Sequence, residues 1–409
     1  MLSLRFLQVS DLHLDSSLAG SRLGLSPAKR ARINRDIEAG LRRALEIARE
    51  ENVDVVLLPG DLWDDESVSF QTATMVYDTL ASLAPIPVLI APGNHDPYHA
   101  FSYHHAGYFK NKVGRPHPRN VTVFSSPKFE RRTLSALPDV DFYGCCFEQN
   151  VPPTERALAG LKPERDNVLN VLLLHGSQDD AMVANWARLG AAPFSRAELL
   201  ATGFDYTALG HYHRFSQITD DHGMIRGAYG GIPVARTLEE DGERYVLVGE
   251  ITEGGIRPET LKHIAVDTRR IRRIEVGVDA TVTNSAAARE RVEAQLKSAG
   301  VTPEDIIYLE LTGRTHPEIT TFDFDPAWRD AQCFHLAIDQ SRLEPEYDID
   351  ALLADETARK RVEGQFAERM RQLLAAAEGD TVRQRTLRAA MVHGLDALNG
   401  REVRLRRVH

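Results

Sequence analysis

Cysteine is scarce in this chain of 409 residues: there are three, Cys145, Cys146 and Cys333. Their odd number and the lack of paired spacing exclude a disulfide framework and a thiolate zinc site. Cys145 and Cys146 follow V-D-F-Y-G and read as buried thiols of a reducing compartment. Long apolar runs are missing as well. None approaches the length of a membrane span, and strand-like sequence starts at once without a basic-then-apolar leader, so a cytoplasmic location is expected. Positive charge is not in excess either: 49 Lys and Arg stand against 59 Asp and Glu, a formal net charge of −10. That excludes a broad basic footprint for nucleic acid, which would have to be held by local patches.

The chain does hold five short apolar runs, each ending on potential metal ligands. L-R-F-L-Q-V-S runs into Asp11 and His13, V-D-V-V-L-L-P-G into Asp61, and I-P-V-L-I-A-P-G into Asn94, His95 and Asp96. L-N-V-L-L-L runs into His175, and Y-T-A-L-G into His211 and His213. Such runs, bounded by Gly or Pro, read as buried strands, and in an α/β sheet their ends open into one crevice. The two D-x-H and H-x-H pairs place both side chains on one face of extended backbone. Asp11, His13, Asp61, Asn94, His175, His211 and His213 are then seven O and N donors without a thiolate. This set suits two hard or borderline divalent ions sharing one carboxylate, a clamp for phosphoryl chemistry.

D-L-H, G-D-L-W-D, G-N-H-D, L-H-G-S and G-H-Y-H, in this order across residues 11 to 213, resemble the calcineurin-like metallophosphoesterase superfamily. Within it the chain is most similar to bacterial DNA repair exonucleases of the SbcD and YhaO type. The resemblance implies a two-sheet αββα sandwich of α/β class, with a small α+β cap domain and a helical C-terminal tail. It implies one ion on Asp11, His13, Asp61 and His213, and another on Asp61, Asn94, His175 and His211, with Asp61 as the bridge. His95 is the candidate general acid, with Asp96 to orient it. Asp15, Asp64 and His99 are candidates to support the ligands. The ions are expected to be manganese, with iron, cobalt or zinc also compatible with these donors.

With 43% hydrophobic residues the chain can bury two or three domains. The expected division is a nuclease domain over residues 1–265, a cap over 266–344 and a helical region over 345–409. Ser26-Pro27 predicts the start of a helix with Ile33, Ile37, Leu41, Leu45 and Ala48 on its apolar face. A second helix is expected over about 68–83, completing a βαβ start. From 121 to 264 the pattern is mostly short strands, with helices expected only near 153–161 and 181–189. A-Y-G-G-I-P at 228–233 fits both the Gly-rich turn of the exonuclease branch and an ordinary tight turn.

Residues 97–129 contain no Asp or Glu, although the chain has 59. Lys110, Lys112, Arg115, Arg119 and Lys128 are interleaved there with Tyr98, Phe101, Tyr103, Tyr108 and Phe109. Cations and rings together suit a surface for DNA ends, with Lys110, Lys112 and Arg115 as candidate contacts; the plainer reading is core aromatics and solvated lysines.

Beyond 266, I-R-R-I-E-V-G-V, a helix at about 285–299, I-I-Y-L-E-L-T-G and C-F-H-L-A-I-D read as β-α-β-β. Arg269, Arg270, Arg272 and Arg273 read as a charged linker. Val362, Phe366, Met370 and Leu373, then Leu387, Met391, Leu395 and Leu398, predict two helices ending at Asn399-Gly400. By resemblance these would dock on the coiled coil of an SMC-like ATPase partner, and a homodimer is also implied. Three functions are compatible: a DNA exonuclease and endonuclease in DNA repair, a small-molecule phosphodiesterase or phosphatase suited to the acidic pI of about 5.9, and a non-catalytic tethering or ATPase-regulating subunit.

Overall fold

The computed structural model describes residues 2–18, 22–149, 156–181, 191–401 and 403. The chain divides into two compact units, Met1–Arg272 with Glu304–Ile307, and Arg273–Pro303 with Tyr308–His409.

The first unit opens as its apolar pattern requires. Strand β1 (Ser3–Gln8) leads to helix α1 (Pro27–Glu50), capped by the Ser26 side chain, with Ile33, Ile37, Leu41, Ala44, Leu45 and Ala48 buried. Strand β2 (Val55–Leu58) follows, then helix α2 (Phe70–Ala81), capped by Ser69, then β3 (Val88–Ile90). Strands β1, β2 and β3 pair in parallel, as crossover helices dictate. The acid-free stretch carries its own helix, α3 (Ala106–Val113), before β4 (Val121–Val123) joins β3.

Next come β5 (Glu130–Leu134), β6 (Leu137–Gly144), β7 (Leu169–His175), helix α4 (Arg196–Thr202) and β8 (Tyr206–Gly210). Strands β9 (Ser216–Thr219), β10 (Ile225–Tyr229), β11 (Val246–Thr252), β12 (Gly255–Ile256) and β13 (Lys262–Ile264) complete the unit. The expected helix at 153–161 is a turn over its described residues, and the one at 181–189 lies, apart from residue 181, outside the described residues.

The two expected layers are halves of one hydrogen-bonded strip, β4-β3-β2-β1-β11-β12-β10-β8-β7-β6-β5. The two-residue β12 is the splice, pairing Ile256 with Ile251 on one side and Ile225 on the other. The halves bury a shared interior: Leu4, Phe6, Val55, Leu57 and Leu89 from one, and Phe142, Val171, Leu173, Tyr206 and Ala208 from the other. The rings of Phe6 and Tyr206 meet across it at 5.1 Å. Alternate residues Leu172, Leu174 and Leu209 point to the opposite face, where they join Phe194, Leu199 and Phe204, so β7 and β8 are apolar on both sides. Just below the strand ends Gln8 also crosses the interior, donating to the carbonyls of Leu209 and Ala228 and accepting from Tyr206.

The second unit has a three-stranded sheet in the order β14 (Ile271–Val278), β15 (Ile306–Thr315), β16 (His335–Pro345). Helix α5 (Ser285–Ser298) buries Ala288, Val292 and Leu296. A short helix α6 (Pro326–Gln332) precedes β16, and α7 (Ile349–Ala354), α8 (Glu356–Arg359), α9 (Val362–Ala376) and α10 (Thr381–Leu398) follow it. Gly394 lets α10 approach α9, since a Cβ there would collide with the Phe366 ring.

Candidate metal centre

The C-terminal ends of β1, β2, β3, β7 and β8 bring the predicted donors together. Asp11, His13 and His213 have ligand atoms within 4.8 Å of one another, as do Asp11, Asp61 and His175. His13 Nε2 and His175 Nε2 lie 3.5 and 3.3 Å from Asp61 Oδ2, so Asp61 sits between the two groups. Asn94 Oδ1 is 3.0 Å from His175 Nε2. The His211 ring packs 5.1 Å from that of His175, and its backbone N–H donates to Asp11 Oδ1 at 2.9 Å.

The backbone is strained where these groups emerge. Asp11, His13, Asp61 and His211 have φ of 55°, 46°, 54° and 102°, a region L residues rarely adopt. Glycine makes the close approach of the loops possible: a Cβ on Gly210 would land on the Pro59 carbonyl, and one on Gly93 on the Asp61 carboxylate.

Outer partners select the imidazole nitrogens that face inward. His13 Nδ1 meets Asp64 Oδ1 at 2.7 Å, His213 Nδ1 meets Glu240 Oε1 at 2.7 Å, and His175 Nδ1 meets the Pro59 carbonyl at 3.0 Å. Each Nδ1 is therefore the protonated nitrogen, leaving Nε2 as the inward donor. As a result the Nε2 atoms of His13 and His213 face each other at 3.2 Å. Two lone pairs at that distance repel unless a cation lies between them.

The electrostatics point the same way. Burial pushes the pKa of His13 down to about 4, helped by Arg236, and that of His211 down to about 3, helped by His175. Burial also opposes ionisation of Asp61, yet His175 and His13 hold its carboxyl well below the usual range. Burial disfavours a proton on His175 too, but Asp61 and Asp11 overcome it and lift the group to about 9. The acidic centre thus draws a proton where a cation would sit. Asp11 Oδ2 and His211 Nε2 are buried with no hydrogen-bond partner among the described residues. Orphaned O and N donors, bare Nε2 atoms and no thiolate fit divalent ions.

One residue of the site takes another role than sequence suggests. Asp96 does not orient His95: its oxygens accept from the backbone N–H of Asp61, Leu62 and Gly93 and from His104, all buried. Asp64 meets His95 instead, Oδ1 to Nδ1 at 3.2 Å, and forms a third candidate group with His13 and His95. The His95 side chain is 44% exposed, against 1–2% for His13, Asp61 and His175, so it is the one that faces solvent. The hydrogen bond to Asp64 raises the pKa of His95 against its burial. Asp15 accepts from the Ser69 N–H at the start of α2, and His99 pairs with Asp65 at 2.9 Å.

Sequence reasoning missed Glu240 and Arg236. Glu240 accepts from His213 and from the backbone N–H of Arg236 and Thr237; the T-x-x-E spacing of a capping box was its available signal. Arg236 reaches Ser16 and Glu240. In the acid-free stretch, Phe109 is core, packed 4.6 Å from both Tyr77 and His117, while Phe101 is 74% exposed. Lys110 and Lys112 are exposed in the last turn of α3. Arg115 is instead engaged by Asp78 and lies over the Phe109 ring.

The chain is similar to known phosphoesterases. The pattern of the calcineurin-like phosphoesterases matches residues 4–215. An uncharacterized metallophosphoesterase, YhaO, of Bacillus subtilis is 28% identical over 62% of this chain and 59% of its own. The DNA double-strand break repair protein Mre11 of Saccharolobus solfataricus is 25% identical over 60% of this chain and 58% of its own. Mre11 of Sulfurisphaera tokodaii is 24% identical over 72% of this chain and 74% of its own. The chain thus spans under two thirds of the length of the first two relatives.

Proposed function

The chain belongs to the calcineurin-like phosphoesterase family, hydrolases of phosphoester bonds, and from that premise we propose that it is a two-metal phosphodiesterase that cleaves DNA. The observation that carries the reading is the convergence of Asp11, Asp61 and His175 with His13 and His213, beside an outward His95. Asp11, His13, Asp61 and His213 would hold one divalent ion; Asp61, Asn94, His175 and His211 would hold the other. When bound, such a pair supplies Lewis-acid activation of the phosphoester and of water.

The protein's own residues do the rest. Asp61, shared by both positions, would place an anion between the two positive charges. Asp64 and Glu240 fix the rings of His13 and His213, and the Pro59 carbonyl fixes that of His175. His95, anchored through Nδ1 by Asp64, presents Nε2 to give a proton to the departing oxygen as the P–O bond breaks. The hydrogen bond to Asp64 raises its pKa, which favours the protonated ring that this step needs.

DNA as the substrate is supported by the two relatives named for double-strand break repair, and by exposed Phe101, Lys110 and Lys112 in the loop and helix that follow His95. A coiled-coil ATPase of the SMC type is the proposed partner of α9 and α10. The test is to assay the full chain with Mn²⁺ on labelled duplex ends, hairpins, cyclic nucleotides and an aryl phosphodiester. Cleavage of DNA is expected; preference for a small nucleotide with DNA untouched, or no hydrolysis despite bound metal, overturns the proposal.

A further inference from the structure

Asp96 lies beneath the centre and touches two of its loops at once. Oδ1 accepts from Gly93 N at 2.7 Å and Asp61 N at 2.9 Å; Oδ2 accepts from Leu62 N at 2.9 Å and faces His104 Nε2 at 3.0 Å. A carboxylate has about four acceptor positions, so four donors arriving from two loops leave it one orientation. The pairing of β2 with β3 stops at Leu58 and Ile90, short of Asp61 and Asn94. Beyond that point Asp96 joins the two loops, aided by the His95 N–H on Asp61 Oδ1 at 2.9 Å.

Asp96 is held in turn from behind. His104 is buried, its Nδ1 is 3.1 Å from the Tyr77 hydroxyl, and its ring stacks on Trp63 at 4.3 Å. Because Asp96 can only accept, His104 Nε2 carries a proton; in the neutral imidazole Nδ1 is then bare and accepts from the Tyr77 O–H. The chain Tyr77 to His104 to Asp96 therefore has one direction and no unsatisfied atom. All three side chains are buried, where apolar residues would fill the space without needing partners, so the arrangement answers a requirement other than packing.

We propose that Tyr77, His104 and Asp96 are positioning residues that set the spacing of Asp61 and Asn94, and so the affinity for the second of the two ions. The inference rests on the two-ion reading above. Asp61 and Asn94 are both ligands of that second ion in the proposed assignment, whereas the first shares only Asp61 with the stitched loops. Loosening the relay therefore weakens the second ion selectively.

The test is a titration of the metal-stripped full chain with Mn²⁺, followed by electron paramagnetic resonance, which counts free ion and separates a spin-coupled pair from single ions. The wild type takes up two Mn²⁺ and shows the coupled signal. In His104→Leu the first ion binds within about twofold of wild type, while the second weakens by about 10- to 100-fold and the coupled signal gives way to that of a single ion. His104→Gln, whose amide still donates to Asp96, recovers the coupled signal. Tyr77→Phe, which removes only a hydroxyl, weakens the second ion by about threefold, and it decides the matter should the leucine variant not fold. Wild-type affinity for the second ion in both variants overturns the relay, as does equal weakening of both ions. Uptake of fewer than two ions by the wild type overturns instead the two-ion reading, and the relay with it.

Discussion

The His95 imidazole and the Asp64 carboxylate meet Nδ1 to Oδ1 at 3.2 Å, and the same oxygen is 2.7 Å from Nδ1 of His13. One carboxylate thus anchors both a candidate ligand and the candidate proton donor. His95→Gln should keep both ions and lose turnover by about 10²- to 10⁴-fold, measured as kcat beside metal content. Loss of metal in that variant would make His95 a ligand instead. Asp64 raises the pKa of His95, and an acid must be protonated to act, so activity falls as pH rises through that pKa. Asp64→Asn should move this alkaline limb to lower pH; an unmoved limb assigns the proton to another group.

The acid-free stretch yields a narrower test than its composition suggests. Of the three candidate contacts, Arg115 is already engaged by Asp78, which leaves Lys110 and Lys112 exposed. Reversing both to Glu should weaken binding to duplex ends and lower the salt-dependence slope by roughly 2, about 0.9 for each phosphate no longer neutralised. Arg115→Glu should cost less than about 1 kcal/mol of stability and leave the slope unchanged. Equal slopes for the lysine variant and wild type would remove α3 from the proposed DNA surface.

Asp267 makes stability depend on pH. Burial pushes its carboxyl up to about 6 from an ordinary 3.8, against Arg270 and its own backbone N–H. The folded chain binds this proton more tightly than the unfolded one, so the stability it contributes is complete below 3.8 and is lost as pH rises through about 6. Asp267→Asn should therefore be more stable than wild type at pH 7, by about 1–2 kcal/mol, with the difference vanishing below pH 4. Urea unfolding at both values checks it.

Helices α7 to α10 form their own packed group after β16 ends at Pro345, with Tyr347 hydrogen-bonded to Asp396 at 2.7 Å. Removing residues 345–409 should abolish association with the proposed coiled-coil ATPase while sparing metal-dependent hydrolysis. Co-purification of the truncated chain with the ATPase would show that docking lies elsewhere.

Much of the first unit is legible in the order of residues. Strand ends are local events: an apolar run, a glycine and a polar residue within ten positions show where β2 stops and Asp61 begins. The same locality made Ser26-Pro27 readable as the start of α1. Helix α3 was not legible, because its buried face is Phe109 alone and its periodicity is correspondingly faint. Nor was the continuous strip, since the splice at β12 is two residues long and leaves no pattern.

Sequence alone determined the candidate donors of the centre and the strands that carry them, because both follow from residue types at short range. Folding decided which nitrogen of each imidazole faces inward, that Asp64 rather than Asp96 serves His95, and that Arg115 turns to Asp78. Those choices depend on partners that meet only when the strip closes, such as His13 and His213, 200 positions apart. Hydrogen-bond geometry at 3 Å is set by three-dimensional packing, and no spacing along the chain encodes it.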